Sequence, residues 1–231
     1  MRSFEILTLF PEFFDGPLRV SILKRAQEKG LLSVRVRDLR DYGEGVHRKC
    51  DDKPYGGGAG MVMQPGPLFA AIRDAKRAAG KGAKVVVFSA KGRKTDQALL
   101  RELSVHPKFV LVAGHYEGMD QRVIGHCADW ELSTGDYVLT GGEIPCLAFV
   151  DAMSRLTPGV LKNDESAGEE SFDEQGLLEY DQYTRPETFR GWKVPDVLLS
   201  GDHVKVRQWR QESRLANTKA NRPDLLKTKG D

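Results

Sequence analysis

The chain has 231 residues, 40% of them apolar and 29% charged, the balance of a globular protein able to bury a core. Its 35 Lys plus Arg against 33 Asp plus Glu leave a formal charge of only +2, so any nucleic-acid function must rest on local patches rather than bulk charge. Apolar runs reach about five residues, as at 109–113, far short of a membrane span.

The N-terminal run 4–9 reads as a strand rather than a signal peptide, because Glu5 interrupts it and Pro11-Glu12 closes it. Residues 17–29 follow as a helix, with Leu18, Ile22, Leu23 and Ala26 on one face, Pro17 in the first turn and Gly30 as the stop. Val34 and Val36 alternate with Arg35 and Arg37 in a half-exposed strand over 32–38. The spacing then predicts a helix over 67–79, a buried strand over 84–88 and a helix over 95–103. A strand over 109–113, a helix over 119–127, a short strand over 130–132 and a helix over 144–156 complete the series. Strands alternating with helices predict an α/β fold with a mostly parallel sheet.

The composition then shifts. Residues 162–181 hold eight carboxylates and one base, an acidic stretch that reads as a linker with little order of its own. From Ser200 onward eight Lys or Arg stand against four Asp or Glu, with helical periodicity around Val204, Val206 and Trp209. The boundary between a large α/β domain and a small basic helical one therefore falls near residues 160–180. Cys50, Cys127 and Cys146 fit neither a disulfide framework nor a zinc site, which points to a reducing, cytoplasmic compartment.

In a parallel sheet the loops leaving the strand carboxyl ends share one edge, where ligands bind. Three such segments here are glycine-punctuated: Ser89-Ala90-Lys91-Gly92-Arg93, Gly114-His115-Tyr116-Glu117-Gly118, and the run from Gly135 to Pro145. Each alone reads as an ordinary tight turn, but three in succession at one edge point to a site. No G-x-G-x-x-G follows the first strand and no G-x-x-x-x-G-K-[ST] occurs, although 54–61 is glycine-rich. These absences disfavour phosphate-driven nucleotide binding and favour a nucleoside held by backbone and apolar contacts. His47, His106, His115, His126 and His203 show no metal spacing and no hydrolase motif.

An ordered set of strings carries a resemblance: Lys53-Pro54-Tyr55-Gly56-Gly57-Gly58, Gly92-Arg93-Lys94, Tyr116-Glu117-Gly118, Gly135-Asp136-Tyr137-Val138-Leu139 with Gly141-Gly142-Glu143, and Ser154-Arg155. Pro158-Gly159-Val160-Leu161, Ser171-Phe172, Gly176-Leu177-Leu178, Tyr183-Thr184-Arg185-Pro186 and Leu199-Ser200-Gly201 continue it. Together they resemble the bacterial tRNA (guanine-N1)-methyltransferase family over nearly the whole chain. The resemblance implies a trefoil-knotted α/β domain of the SPOUT type over 1–160, an acidic lid over 161–180 and a helical tRNA-binding domain over 181–231. It implies a cytoplasmic homodimer that uses S-adenosyl-L-methionine to methylate N1 of the guanosine 3′ to the anticodon (position 37). Ordinary topology rules argue against knots, so the knot stands on the family alone.

Carried over by position, the donor pocket is Ser89, Gly114, Tyr116, Glu117, Gly118, Thr134, Gly135, Tyr137, Leu139, Gly141, Gly142 and Pro145. The catalytic pair is Arg155 and Glu170, and the basic tail offers His203, Arg207, Arg210, Arg214 and Arg222 to RNA. Mg²⁺ is compatible with the family, with Glu117 the nearby carboxylate, but no ligand cluster identifies a metal site. The chain departs from the pattern where Glu170, with Glu169 beside it, replaces a common aspartate, and where the segment 171–176 is one residue longer. His115 stands at a frequent arginine, Ala59 and Ala90 at common prolines, and Asp202 at a usual asparagine. Methylation of another RNA base or a ribose, or RNA binding without turnover, are the alternative expectations.

Overall fold

The computed structural model describes residues 1–161, 170–173 and 175–226. The chain divides into two compact units, Met1–Lys162 and Asn163–Asp231.

The first unit is built on five strands: β1 (Arg2–Thr8), β2 (Leu32–Asp38), β5 (Lys84–Lys94), β6 (Lys108–Val112) and β7 (Trp130–Ser133). They lie in the order β2-β1-β6-β5-β7, and every neighbouring pair is parallel. Two-residue alternation sends Phe4, Ile6, Val86, Phe109 and Leu111 to one face, and Leu7, Val85, Val87, Val110 and Val112 to the other. Both faces are covered, which is why the central strands read as unbroken apolar runs. On the first face lie α1 (Ser21–Glu28), α3 (Gln97–Leu103) and α5 (Glu143–Arg155), the last contributing Phe149, Val150 and Met153. On the second lie α2 (Pro65–Ala79), through Leu68, Ala71, Ile72 and Ala75, and α4 (Gln121–Cys127), through Val123 and Ile124. Each fully buried Leu, Ile or Phe in such a layer contributes about 1.5–3 kcal/mol over its exposed state.

Glu5, the charge inside the first apolar run, is buried, and Arg37 Nε donates to it at 2.6 Å with Arg35 at 3.4 Å. Register explains the pairing, since Glu5 lies opposite Arg35 across the β1–β2 ladder. The arginines that made β2 look half-exposed are the partners of the buried acid.

The helix expected over 17–29 is broken. A 3₁₀ turn covers Pro17–Arg19, Val20 is extended, and Ser21, the first residue of α1, takes a φ of +50°. The segment 89–93, expected as a loop, is an interruption inside β5. Phe88 and Arg93 both register with Leu132 of β7, so the chain leaves the ladder and returns to it. Gly92 permits that return, because a Cβ there would lie 2.6 Å from the Leu132 backbone. Two short strands escaped the periodicity: β3 (Asp51–Asp52) and β4 (Val62–Met63) pair antiparallel and flank the glycine-rich 53–61 segment.

In the second unit, β8 (Thr188–Phe189) and β9 (Trp192–Lys193) form an antiparallel ribbon. It is followed by α6 (Asp196–Leu199) and α7 (His203–Asn221). Asp202 caps α7 by accepting from the Val204 and Lys205 N–H groups at 3.1 and 3.2 Å, and the Lys205 N–H, foremost, holds its carboxyl below the usual carboxylate range. Part of the stretch read as a linker is fastened to α7. The Leu178 N–H donates to Thr218 Oγ1 at 2.9 Å, and Arg214 donates to Asp173 at 2.5 Å.

Candidate functional site

Because the sheet is parallel, the interruption after Phe88 in β5 and the carboxyl ends of β6 and β7 open on one edge. A cavity of about 240 Å³ lies there, close to the small end of ligand clefts. Phe88, Ile124, Leu132 and Pro145 give it apolar walls, and Ser89, Glu117, Thr134 and Thr140 give it polar ones. Gly114, Tyr116, Gly118, Tyr137, Leu139, Gly141 and Gly142 complete the set named from sequence. Gly135 is the exception. It is buried behind the lining, its carbonyl accepting from Ser133 Oγ at 2.9 Å, and a Cβ there would strike the Tyr137 ring at 2.5 Å. Its part is to set the turn that presents Tyr137.

Local geometry holds the walls. The Gly142 N–H donates to the Gly114 carbonyl at 2.8 Å, and a Cβ on Gly142 would sit 2.7 Å from Ala113 Cα and Gly114 N. Only glycine lets the start of α5 approach the loop after β6 so closely. From the other side, the Glu117 N–H donates to the Met61 carbonyl and the Met63 N–H to the Gly118 carbonyl, both at 2.9 Å. The β3–β4 hairpin therefore braces the 114–118 loop. In that loop Tyr116 adopts a φ of +60°, a left-handed conformation that a side chain occupies only when its surroundings enforce it. Burial, foremost, and then the charge of Asp51 push the Tyr116 phenol up.

Beneath the Gly141-Gly142 bend lies a polar cluster that sequence reading missed. Glu143, the first residue of α5, is only 4% exposed; it accepts from Thr8 Oγ1 at 2.7 Å and lies 2.8 Å from His115 Nε2. A Cβ on Gly141 would run into both His115 Nε2 and Glu143 Oε2, so the bend rests directly on the pair. Phe10 flanks the imidazole at 4.7 Å between ring centroids, and Arg40 lies over Phe10. The available signal was a carboxylate in the first turn of a helix directly after two glycines, where the helix dipole favours negative charge. Burial, and then Glu143, push the Cys146 thiol well above its ordinary range.

Arg155 ends α5 in the first unit, whereas Glu170 belongs to the second. Glu169 lies outside the described residues. Of the residues assigned to RNA, His203 and Arg207 are exposed on α7, and Arg210 stacks 4.6 Å over the Tyr180 ring. Arg222 is exposed and pairs with Asp224 at 2.7 Å. Arg214 is a correction. It is 6% exposed, salt-bridged to the equally enclosed Asp173, and donates from Nε to the Leu178 carbonyl at 3.2 Å, so it holds the unit together instead of facing a phosphate. Among the described residues no three His, Cys, Asp or Glu side chains gather as a metal site, and no helix is long and apolar enough to cross a membrane.

Comparison with known proteins completes the picture. The sequence model of the family described as tRNA (Guanine-1)-methyltransferase TrmD matches residues 1–228. The chain belongs to the TrmD family. It is 56% identical over 223 residues to the tRNA (guanine-N(1)-)-methyltransferase of Anaeromyxobacter sp. (strain Fw109-5), covering 96% of this chain and 89% of that protein. The enzyme of the same name from Dictyoglomus turgidum is 50% identical over 226 residues, covering 98% of this chain and 90% of its own length. Within this TrmD-family chain, the cavity residues and Arg155 lie in the first unit, and Glu170 and the basic helix in the second.

Proposed function

We propose that this chain transfers a methyl group from S-adenosyl-L-methionine to N1 of the guanosine 3′ to the anticodon of tRNA. The observation that carries the reading is the cavity at the β5–β6–β7 edge, formed by the glycine bends of a chain in the TrmD family. Its residues suit the donor: the apolar walls of Phe88, Leu132 and Pro145 match a nucleoside base, while Ser89, Thr134 and Glu117 offer polar contacts to its uncharged and cationic parts. When bound, the donor supplies an electrophilic methyl on sulfur.

The remaining chemistry falls to side chains. Guanine N1 carries a proton at neutral pH and is a poor nucleophile until that proton leaves. Glu170 takes the proton as general base, help typically worth about 10²- to 10⁴-fold in rate. The charge that develops on O6 meets the Arg155 guanidinium, whose planar donors suit it. Alignment of N1 with the methyl is then a matter of positioning, with no covalent enzyme intermediate. The finer family features belong to the same proposal. The knotted domain spans 1–160, and the acidic lid of 161–180, of which 162–169 and 174 lie outside the described residues, carries Glu170. Residues 181–231 form the helical tRNA-binding domain, and the molecule works as a cytoplasmic homodimer; were Mg²⁺ to take part, Glu117 would be the carboxylate to hold it, and the ion would supply positive charge there.

Single-turnover methylation tests the base. Glu170→Gln is expected to slow transfer by about 10²-fold or more while leaving donor affinity by calorimetry unchanged. Full-rate transfer by Glu170→Gln would overturn the assignment of Glu170 as the base, and full-rate transfer by Glu169→Gln as well would remove both acids from the step.

A further inference from the structure

The β8–β9 ribbon is closed by Arg190 and Gly191, with φ values of +52° and +87°, the two-residue loop that matches the twist of paired strands. So short a ribbon has little stability of its own in water. Its cross-strand pair is Phe189 and Trp192, with ring centroids 6.0 Å apart and planes tilted by 56°. These rings support the turn, yet they remain in solvent: Trp192 is 70% exposed and Phe189 56%. The Arg190 guanidinium lies 5.6 Å over the Phe189 ring, and Lys193 and Arg185 add two further cations. Glu187 is the only carboxylate between positions 182 and 193. At the ribbon's base, where the Val194 N–H donates to the Glu187 carbonyl at 2.9 Å, a cavity of about 320 Å³ opens between Tyr183, Arg185 and Leu198.

Exposed aromatic faces bordered by cations are the surface on which unpaired bases stack while their phosphates are neutralised. A duplex offers no free base face to such a surface. We propose that the ribbon is a stacking platform for an unpaired nucleotide of the substrate RNA loop. Trp192 takes the base, Arg190 and Lys193 take the flanking phosphates, and the cavity beneath admits a neighbouring base. This rests on the tRNA reading above and adds a contact surface separate from α7.

Fluorescence anisotropy with the full chain tests it, using a labelled anticodon stem-loop and a loopless duplex of the same stem. Trp192→Ala is expected to weaken stem-loop binding by about 5- to 150-fold and to leave duplex binding unchanged, with Trp192→Tyr restoring most of the loss. Replacing Arg190 and Lys193 by Gln is expected to flatten the salt dependence of stem-loop affinity by about 1.4 in log–log slope. Unchanged stem-loop affinity in Trp192→Ala, or an equal loss on both RNAs, overturns the proposal. So does a Trp192→Ala chain that changes its self-association in sedimentation, which makes the ribbon a protein contact. A wild-type chain that neither binds nor methylates tRNA defeats the methyltransferase reading itself. One that does both while Trp192→Ala matches it defeats only the platform.

Discussion

At Gly142 the gap between glycine and alanine is one methyl group with no space to enter. Its φ of −85° is open to any residue, so the constraint is the neighbouring backbone of Ala113 and Gly114, 2.7 Å from a Cβ. Gly142→Ala is expected to lower the melting temperature and to weaken donor binding on the order of tenfold, from overpacking of about 1–3 kcal/mol. Unchanged affinity by calorimetry would contradict the placement of the donor there. Arg214 poses the opposite case, since removing one partner of an enclosed pair strands the other charge. Arg214→Met is expected to destabilise the fold by about 3–5 kcal/mol in denaturant unfolding, and adding Asp173→Leu to recover much of it. The glycine bends were legible in the sequence because their role is local and repeats at one edge. Arg214 was not, because its partner lies 41 positions away and nothing in a helical stripe says which arginine turns inward.

The strands and helices followed from local patterning, and their departures have physical causes. The strand over 32–38 stands where alternation put it. β5, by contrast, extends to Lys94, because its pairing with β7 resumes after a bulge that periodicity reads as an end. The β3–β4 pair is two residues per strand, too short for any period to register. β5 and β7 are also joined at their starts by Asp129, which accepts from the Val85 N–H at 2.8 Å and from Lys84 Nζ at 2.9 Å. Burial raises the Asp129 carboxyl, but the Val85 N–H and Lys84 outweigh it and hold the group below the usual carboxylate range. Folding therefore favours its ionised form. That contribution is complete above the unfolded pKa of about 3.9 and is lost as pH falls through the lower folded value. Melting temperatures measured from pH 7 down to pH 2.5 are expected to show a shallower acid limb for Asp129→Asn than for the wild type, and parallel curves would exclude the clamp.

At the scale of the molecule, the proposed chemistry is divided between two units of different character. The α/β unit carries a cavity open at the sheet edge, and the second carries exposed cations on a net charge too small to reveal them in bulk. Thiol labelling probes the first unit as a whole: Cys127 is expected to react with a soluble disulfide reagent, while Cys50 and Cys146, both buried with thiols pushed up by burial, react only on unfolding. Rapid labelling of Cys146 in the native chain would mean that the α5 face is open. For the second unit, Arg207→Gln is expected to flatten the salt dependence of tRNA affinity by about 0.7–0.9 in log–log slope. An unchanged slope would move the phosphate contact away from Arg207. The most direct test of the account is nucleoside analysis of tRNA incubated with the wild-type chain and methyl-labelled S-adenosyl-L-methionine. The account requires the label in 1-methylguanosine at the position 3′ to the anticodon; label in a ribose, in another base or nowhere in the RNA would contradict it.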